Sequence, residues 1–246
     1  MSGNYTVNGL GPRTSLDLTH VLYNDESAFS LSLALMTLSP ILLMPAYAAL
    51  AVQTREYIIL VMWAGQFMCE GFNWILKHIF KENRPYDEMG NGYGFPSSHS
   101  QYMGYFASFL FCHLYFRHRF ASTGFTVIDQ LWRCVVYCAI AFWSMLVAYS
   151  RYKLMYHTRR QVLCGYGFGV LCGVSLYFVA ELIPGWWPRS YLGQIKIFLL
   201  ENPISTWFQL RDGWAIWTDG GRALEWERWR DEWDRRRNLK QSKRDT

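Results

Sequence analysis

Charge is what this chain has least of. Asp, Glu, Lys and Arg together make 17% of its 246 residues, against 51% hydrophobic, where a soluble domain carries about a quarter charged. That balance excludes a disordered or collagen-like chain. Acidic residues are missing altogether between Asp129 and Glu181. Residues 1–26 are polar and lack the apolar core of a cleaved signal peptide, so the first apolar segment must act as its own targeting signal. The six cysteines, at 69, 112, 134, 138, 164 and 172, show no metal-ligand spacing and read as small packing residues. No long-period repeat is visible.

Aromatic residues, by contrast, are abundant: twelve Trp, sixteen Tyr and sixteen Phe, or 18%. Aromatic belts at membrane interfaces explain such a surplus. The mean hydropathy of -0.02 averages apolar blocks with a charged tail. Crossing the hydrocarbon core takes about 20 mostly apolar residues, and five windows approach this: 29–52, 57–80, 99–116, 131–149 and 162–182. The third is short and carries Gln101, Ser108 and His113. The predicted fold is therefore all-α, a polytopic membrane helical bundle of about five transmembrane helices. Residues 1–26 form a polar N-terminal segment, 27–182 the membrane-embedded domain, and 183–246 an interfacial segment with a charged tail. In that last part, the fourteen residues between Pro188 and Pro203 include Lys196 and are too few to span, so they read as interfacial. Trp226, Trp229, Trp233, Arg230 and Arg237 recur at helical spacing, which suits either a surface-lying helix or a solvated tail. Gly165, Gly169 and Gly173 allow a close helix contact.

With five spans, residues 81–98 and 150–161 share one side of the membrane with the N-terminus, and 53–56, 117–130 and the tail share the other. The tail holds Arg235, Arg236, Arg237, Lys240, Lys243 and Arg244, so the positive-inside rule makes its side cytosolic. On the other side, Arg13, Lys81, Arg84, Arg151, Lys153, Arg159 and Arg160 run against the rule. A bound anion would explain them. Lys77 closes the second window, Arg84-Pro85 follows, Pro96-Ser97-Ser98-His99 opens the third, and Ser150-Arg151 precedes His157 by a short step. All can meet at one membrane face. Three cations, two histidines and a Ser-Ser turn at a helix start suit a phosphate: Arg presents a planar donor fork, Lys a point charge, and the N–H groups around Ser97 and Ser98 add donors aided by the helix dipole. One histidine can attack phosphorus while another protonates the leaving oxygen. No metal and no cofactor is then needed.

Lys77-x6-Arg84-Pro85, Pro96-Ser97-Ser98-His99 and Ser150-Arg151-x5-His157 resemble the three signatures of the type 2 phosphatidic acid phosphatase superfamily, which also includes vanadium haloperoxidases. Glu70-Gly71-x-Asn73-Trp74, Ser97-Ser98-His99-Ser100-Gln101, Leu18-Thr19-His20-Val21 and Tyr156-His157-Thr158 resemble its dolichyl diphosphatase branch. The resemblance covers roughly residues 16–182. It implies a metal-independent hydrolase of the endoplasmic reticulum membrane, with its active site facing the lumen and its C-terminus cytosolic. Its substrate would be dolichyl diphosphate, its products dolichyl phosphate and inorganic phosphate, and the lipid carrier would return to protein N-glycosylation. By residue, His157 would be the nucleophile, His99 the acid, and Lys77, Arg84, Ser97, Ser98 and Arg151 the phosphate holders. The implied partners are the polyprenyl diphosphate and membrane lipids, with no nucleic acid and no evident obligate protein partner. A broader lipid phosphatase and a catalytically silent lipid-phosphate binder remain alternatives.

The superfamily places Asp four residues after the nucleophilic histidine, and here that residue is Gln161. One helical turn still sets Gln161 beside His157, where its amide oxygen can orient the ring without neutralising its charge. Glu70 and Asn73 share a helix face with Lys77; Glu70 is expected to fix Lys77 or Arg84, or to serve a purely structural hydrogen bond. His113 and His118 read as interfacial. Lys153, Arg159 and Arg160 read as diphosphate attractors or headgroup anchors. His20 has no assigned mechanism, and Asn4 begins a glycosylation sequon.

Overall fold

A computed structural model describes residues 5–7, 10–16, 21–24, 27–86 and 92–242, the first three stretches and Ser242 by backbone alone. His20 and Asn4 lie outside the described residues. At the N-terminus, β1 (Tyr5–Val7), β2 (Leu10–Leu16) and β3 (Val21–Asn24) pair antiparallel in that order, an addition that the polar composition of the segment did not announce. Among the described residues the remaining elements are helices joined by loops.

The first apolar window is two helices, α1 (Ala28–Met36) and α2 (Ser39–Thr54). Ser27 caps α1 by accepting from the Ser30 N–H, and Thr37, whose hydroxyl donates to the Ala34 carbonyl at 2.6 Å, marks the joint. Next come α3 (Tyr57–Phe80), α4 (Ser98–Phe116), α5 (Thr126–Lys153) and α6 (Arg159–Tyr177), the last prolonged by a π-turn at Phe178–Leu182 and by α7 (Ile183–Trp186). Among the described residues, four helical stretches are long and apolar enough to cross a membrane: Ala28–Thr54, Tyr57–Phe80, Thr126–Lys153 and Arg159–Trp186. Their outer faces expose Leu42, Phe67, Met68, Phe142, Leu163 and Leu171, an apolar surface that suits lipid.

The third window, α4, falls short of that standard because it is the centre of the bundle rather than part of its lipid-facing wall. Ser100 to Phe109 are all buried. Its polar groups are paired inside: the Gln101 amide donates to the Cys69 carbonyl at 2.9 Å and accepts from Asn73 at 2.7 Å, and the Ser108 hydroxyl donates to the Val170 carbonyl at 3.3 Å. The closest neighbour of α4 is α6. There a Cβ on Gly169 would lie 2.0 Å from the Gln101 carbonyl oxygen, and one on Gly165 would lie 2.6 Å from that of Ser97. The small-residue stripe therefore serves a backbone-to-backbone contact within the chain.

The two ends of the bundle carry different chemistry. At one end lie the close of α3, the start of α4, the close of α5 and the start of α6. At the other, α8 (Tyr191–Glu201), α9 (Pro203–Phe208) and α10 (Gly213–Ile216) pack against the starts of α3 and the end of α6. Arg211 pairs with Glu56 at 2.7 Å, and Glu56 also accepts from the Gly213 N–H. Lys196 sits between Glu181 at 3.0 Å and Asp212 at 2.6 Å. Lys196, inside the segment read as interfacial, is thus buried in an ion-pair group. His113 and His118 are packed at this same end, against Trp214. Finally α11 (Arg222–Ser242) leaves Trp226, Trp229 and Trp233 exposed and is laced by pairs such as Arg236 with Glu232 at 2.6 Å.

Candidate active site

The chemical residues sit at helix ends or in the loops that join them, which is why segments far apart in sequence converge. Lys77 lies in the last turn of α3, before the chain leaves the helix at Lys81 with φ 48°. Its ammonium donates to the Ser98 hydroxyl at 3.0 Å. Ser97 is the residue before α4, and the first intrahelical bond runs from the Gln101 N–H to the Ser97 carbonyl. A helix start leaves its first N–H groups without intrahelical acceptors. Ser97 has already used its own N–H on the Gln161 carbonyl, at 3.1 Å, and its hydroxyl accepts from Ser100 at 3.0 Å. The donors left at this turn belong to Ser98, His99 and Ser100. Ser97 thus ties α4 to α6 through its N–H, and its hydroxyl, which accepts from Ser100, keeps its own proton to offer a phosphate.

Arg151 ends α5 and is buried, yet its Nε and Nη1 have no hydrogen-bond partner among the described residues. Its guanidinium stacks on the Tyr156 ring at 4.0 Å, and its carbonyl accepts from the N–H groups of both Tyr156 and His157. This tight turn folds His157 back beneath the arginine. Buried N–H groups are normally paired, so unpaired donors on a fixed guanidinium mark a place for an anion. Arg151, Lys77, Arg84 and His157 all lie near enough to His99 to act on its charge. Five sequence-identified residues, together with Ser98, therefore come together.

His157 is 3% exposed. Burial, then the charges of Arg151 and Arg84, push its pKa down to about 3, opposed by its bond to Gln161. The imidazole is neutral at physiological pH, as a nucleophile must be. Its Nδ1 lies 3.2 Å from Gln161 Oε1. Thr158 caps α6, and its N–H donates to that same Oε1 at 3.2 Å, while Gln161 Nε2 donates to Glu82 Oε1 at 2.9 Å and to the Asn83 carbonyl at 3.0 Å. A flipped amide would face donors with donors and acceptors with acceptors. The orientation is thereby set, Nδ1 carries the proton, and Nε2 keeps its lone pair.

The remaining expectations are met unevenly. Asn73 does not reach the cluster; it supports the turn from below, donating to Gln101 and, at 3.5 Å, to the Pro96 carbonyl. Among the described residues Glu70 forms no ion pair with Lys77, and it is exposed on α3. Its expected contact is absent because Lys77 leans toward Ser98. Arg160 pairs with Glu82, and Arg159 donates to the Tyr152 hydroxyl at 2.9 Å. Glu82 and Tyr156 gained no role from sequence reasoning. The stacking of Tyr156 is local and could have been read from the Arg151-x4-Tyr156 spacing; the Glu82 contact spans 79 positions and could not. Among the described residues, no group of three or more His, Cys, Asp or Glu is placed to hold a metal ion.

The PAP2 superfamily model matches residues 56–183, the stretch that contains every residue of this cluster. The chain belongs to the PAP2 superfamily. This PAP2 chain is 31% identical to the putative dolichyldiphosphatase of Neurospora crassa, over 95% of its own length and 97% of that protein. It is 34% identical to dolichyldiphosphatase 1 of Homo sapiens, over 79% and 80% of the two chains, and 31% identical to the dolichyldiphosphatase of Saccharomyces cerevisiae, over 80% and 81%. No solved structure matches this PAP2 protein significantly.

Proposed function

We propose that this PAP2 protein is a dolichyl diphosphate phosphatase, working through a phosphohistidine in the membrane-embedded residues 27–182. The observation that carries the reading is the buried Arg151 guanidinium with unpaired Nε and Nη1, set beside a neutral His157 and a second histidine, His99. A silent binder needs the cations but not two histidines. In the first step the lone pair on His157 Nε2 forms a bond to the terminal phosphorus as the bond to the bridging oxygen breaks. His99 delivers its proton to the departing dolichyl phosphate. In the second step water, deprotonated by His99, attacks phosphorus and breaks the P–N bond, releasing inorganic phosphate and restoring both histidines. Lys77, Arg84, Arg151 and the N–H groups at the start of α4 stabilise the equatorial oxygens where charge builds. The protein supplies this positive charge from its own side chains.

The carrier released is dolichyl phosphate, ready for renewed loading in N-glycosylation. The reading puts the cluster on the lumenal face of the endoplasmic reticulum membrane and the tail, with its arginines, in the cytosol. Support comes from the positive-inside rule and from the packing of α8 to α10 at the end opposite the cluster. The test is hydrolysis by purified protein in detergent with a chelator, against dolichyl diphosphate, dolichyl phosphate and phosphatidate in parallel. The expected result is phosphate release from the diphosphate at a rate well above the other two. Preference for phosphatidate, or activity abolished by chelator and restored by magnesium, would overturn it.

A further inference from the structure

Where the superfamily pattern calls for a carboxylate on the attacking histidine, this chain has an amide, and behind the amide stands a carboxylate from another segment. We propose that Glu82 is a positioning residue for His157, acting through Gln161 to fix the ring's tautomer and to lend negative charge to the phosphorylated imidazole. The inference rests on the reading of His157 as nucleophile. The connection is continuous: Nδ1 to Gln161 Oε1 at 3.2 Å, and Gln161 Nε2 to Glu82 Oε1 at 2.9 Å. Gln161 is fully buried, so no water competes for its amide. The segment of Glu82 is itself pinned, since the Gly94 N–H donates to the Glu82 carbonyl at 2.7 Å and Gln161 also donates to the Asn83 carbonyl.

An amide between an imidazole and a carboxylate does two things. It holds its oxygen toward Nδ1–H, because reversal would aim that oxygen at Glu82 and the Asn83 carbonyl. It is also polarised by the carboxylate, which strengthens the acceptor at Oε1, as hydrogen bonds in series do in a low-dielectric interior. When Nε2 bonds phosphorus and the bond to the leaving group breaks, the ring keeps its Nδ1 proton and becomes cationic. It does so among Lys77 on α3, Arg151 on α5 and Arg84 in the connecting loop, all of which oppose a further positive charge. Glu82 is the carboxylate placed behind Gln161 to counter it. Arg160 also pairs with Glu82, but its side chain is 69% exposed against 30% for Glu82, so solvent screens that pair.

The proposal separates charge from shape. Glu82→Gln keeps an acceptor for the Gln161 amide and loses the charge; kcat for the diphosphate should fall about tenfold with KM within about twofold. Glu82→Ala loses both and should fall about a hundredfold, and the ¹⁵N shifts of His157 at neutral pH should change from a dominant Nδ1–H tautomer to a mixture. Arg160→Gln breaks the ion pair at Glu82 Oε2 but leaves the Gln161 bond to Glu82 Oε1 in place; kcat at saturating diphosphate should stay within about threefold of the unaltered protein, whatever happens to KM. A purely structural Glu82–Arg160 bridge would instead make Arg160→Gln as damaging as Glu82→Ala. Moving the carboxylate inward, Glu82→Gln with Gln161→Asp, should recover kcat to within about threefold of the unaltered protein and above either single change. Unchanged kcat and unchanged ¹⁵N shifts in both Glu82 variants would overturn the proposal, as would additive losses in the double variant. If the unaltered protein fails to hydrolyse dolichyl diphosphate, the functional reading falls, and the tautomer measurement still decides whether Glu82 orients His157.

Discussion

Replacing Arg151 by Met should make the protein more stable and nearly inactive, two effects of opposite sign from one cause. In the absence of an anion, Arg151 is 4% exposed with Nε and Nη1 unpaired. Each buried, unmade hydrogen bond costs about 1–3 kcal/mol. Against this, the stack on Tyr156 at 4.0 Å contributes up to about 2 kcal/mol when desolvated. Methionine keeps most of the packing volume and removes the charge, so the net change is a stabilisation of about 2 kcal/mol, or roughly 4–8 °C in Tm. Loss of one preorganised donor to a developing oxyanion lowers kcat by about 10²–10³. Thermal unfolding in detergent, with and without inorganic phosphate, reads both sides. Phosphate at about 100 times its Kd should stabilise the unaltered protein by about 2.7 kcal/mol and leave Arg151→Met nearly unmoved. A variant that unfolds earlier than the unaltered protein and turns over within about threefold of it would refute the reasoning, because Arg151 would then be a structural cation.

Gln161→Asp should move the acidic limb of the kcat/KM profile upward: a negative charge at Nδ1 favours the imidazolium, so the His157 pKa rises from about 3 and protonation disables the nucleophile at higher pH. Gln161→Leu should lose about a hundredfold in kcat, since the ring loses its orienting acceptor; a pH–rate series on both variants checks each. Gly169→Ala should destabilise by about 3 kcal/mol, because its Cβ would meet the Gln101 carbonyl oxygen at 2.0 Å; a Tm within about 1 °C of the unaltered protein would contradict the α4–α6 contact. In a variant cleared of native cysteines, Glu88→Cys should be labelled only from the lumen and Ser242→Cys only from the cytosol. Labelling of both from one side would refute the topology.

Local spacing carried most of what was legible in the sequence. The pairing of His157 with Gln161 follows from one helical turn, and Lys77, Arg84, His99, Arg151 and His157 were named because their motifs lie where helices end or begin on the same side. What failed was long-range or concerned which atoms were already committed. The Ser97 N–H looked available because a Ser-Ser turn at a helix start has free donors; it is taken by the carbonyl of Gln161, sixty-odd positions on in a different helix, which leaves the hydroxyl as the group Ser97 can offer. The burial of Lys196 was not legible either, because its partners Glu181 and Asp212 lie in segments on either side of its helix. Polarity made α4 the weakest of the expected spans, and that polarity is the signature of its central place, since Gln101 and Ser108 bond to α3 and α6. Glu82 carried no signal, because a carboxylate two residues before an arginine is commonplace until the fold brings it to Gln161.

The central claim is that His157 becomes covalently phosphorylated, and the direct measurement is a rapid quench of the purified protein with dolichyl diphosphate labelled in its terminal phosphate. The account predicts a base-stable, acid-labile label on the peptide containing His157, formed and discharged at rates compatible with turnover, accumulating when His99 is replaced, and absent from His157→Ala. Full turnover with no label on His157, or undiminished label in His157→Ala, would contradict it.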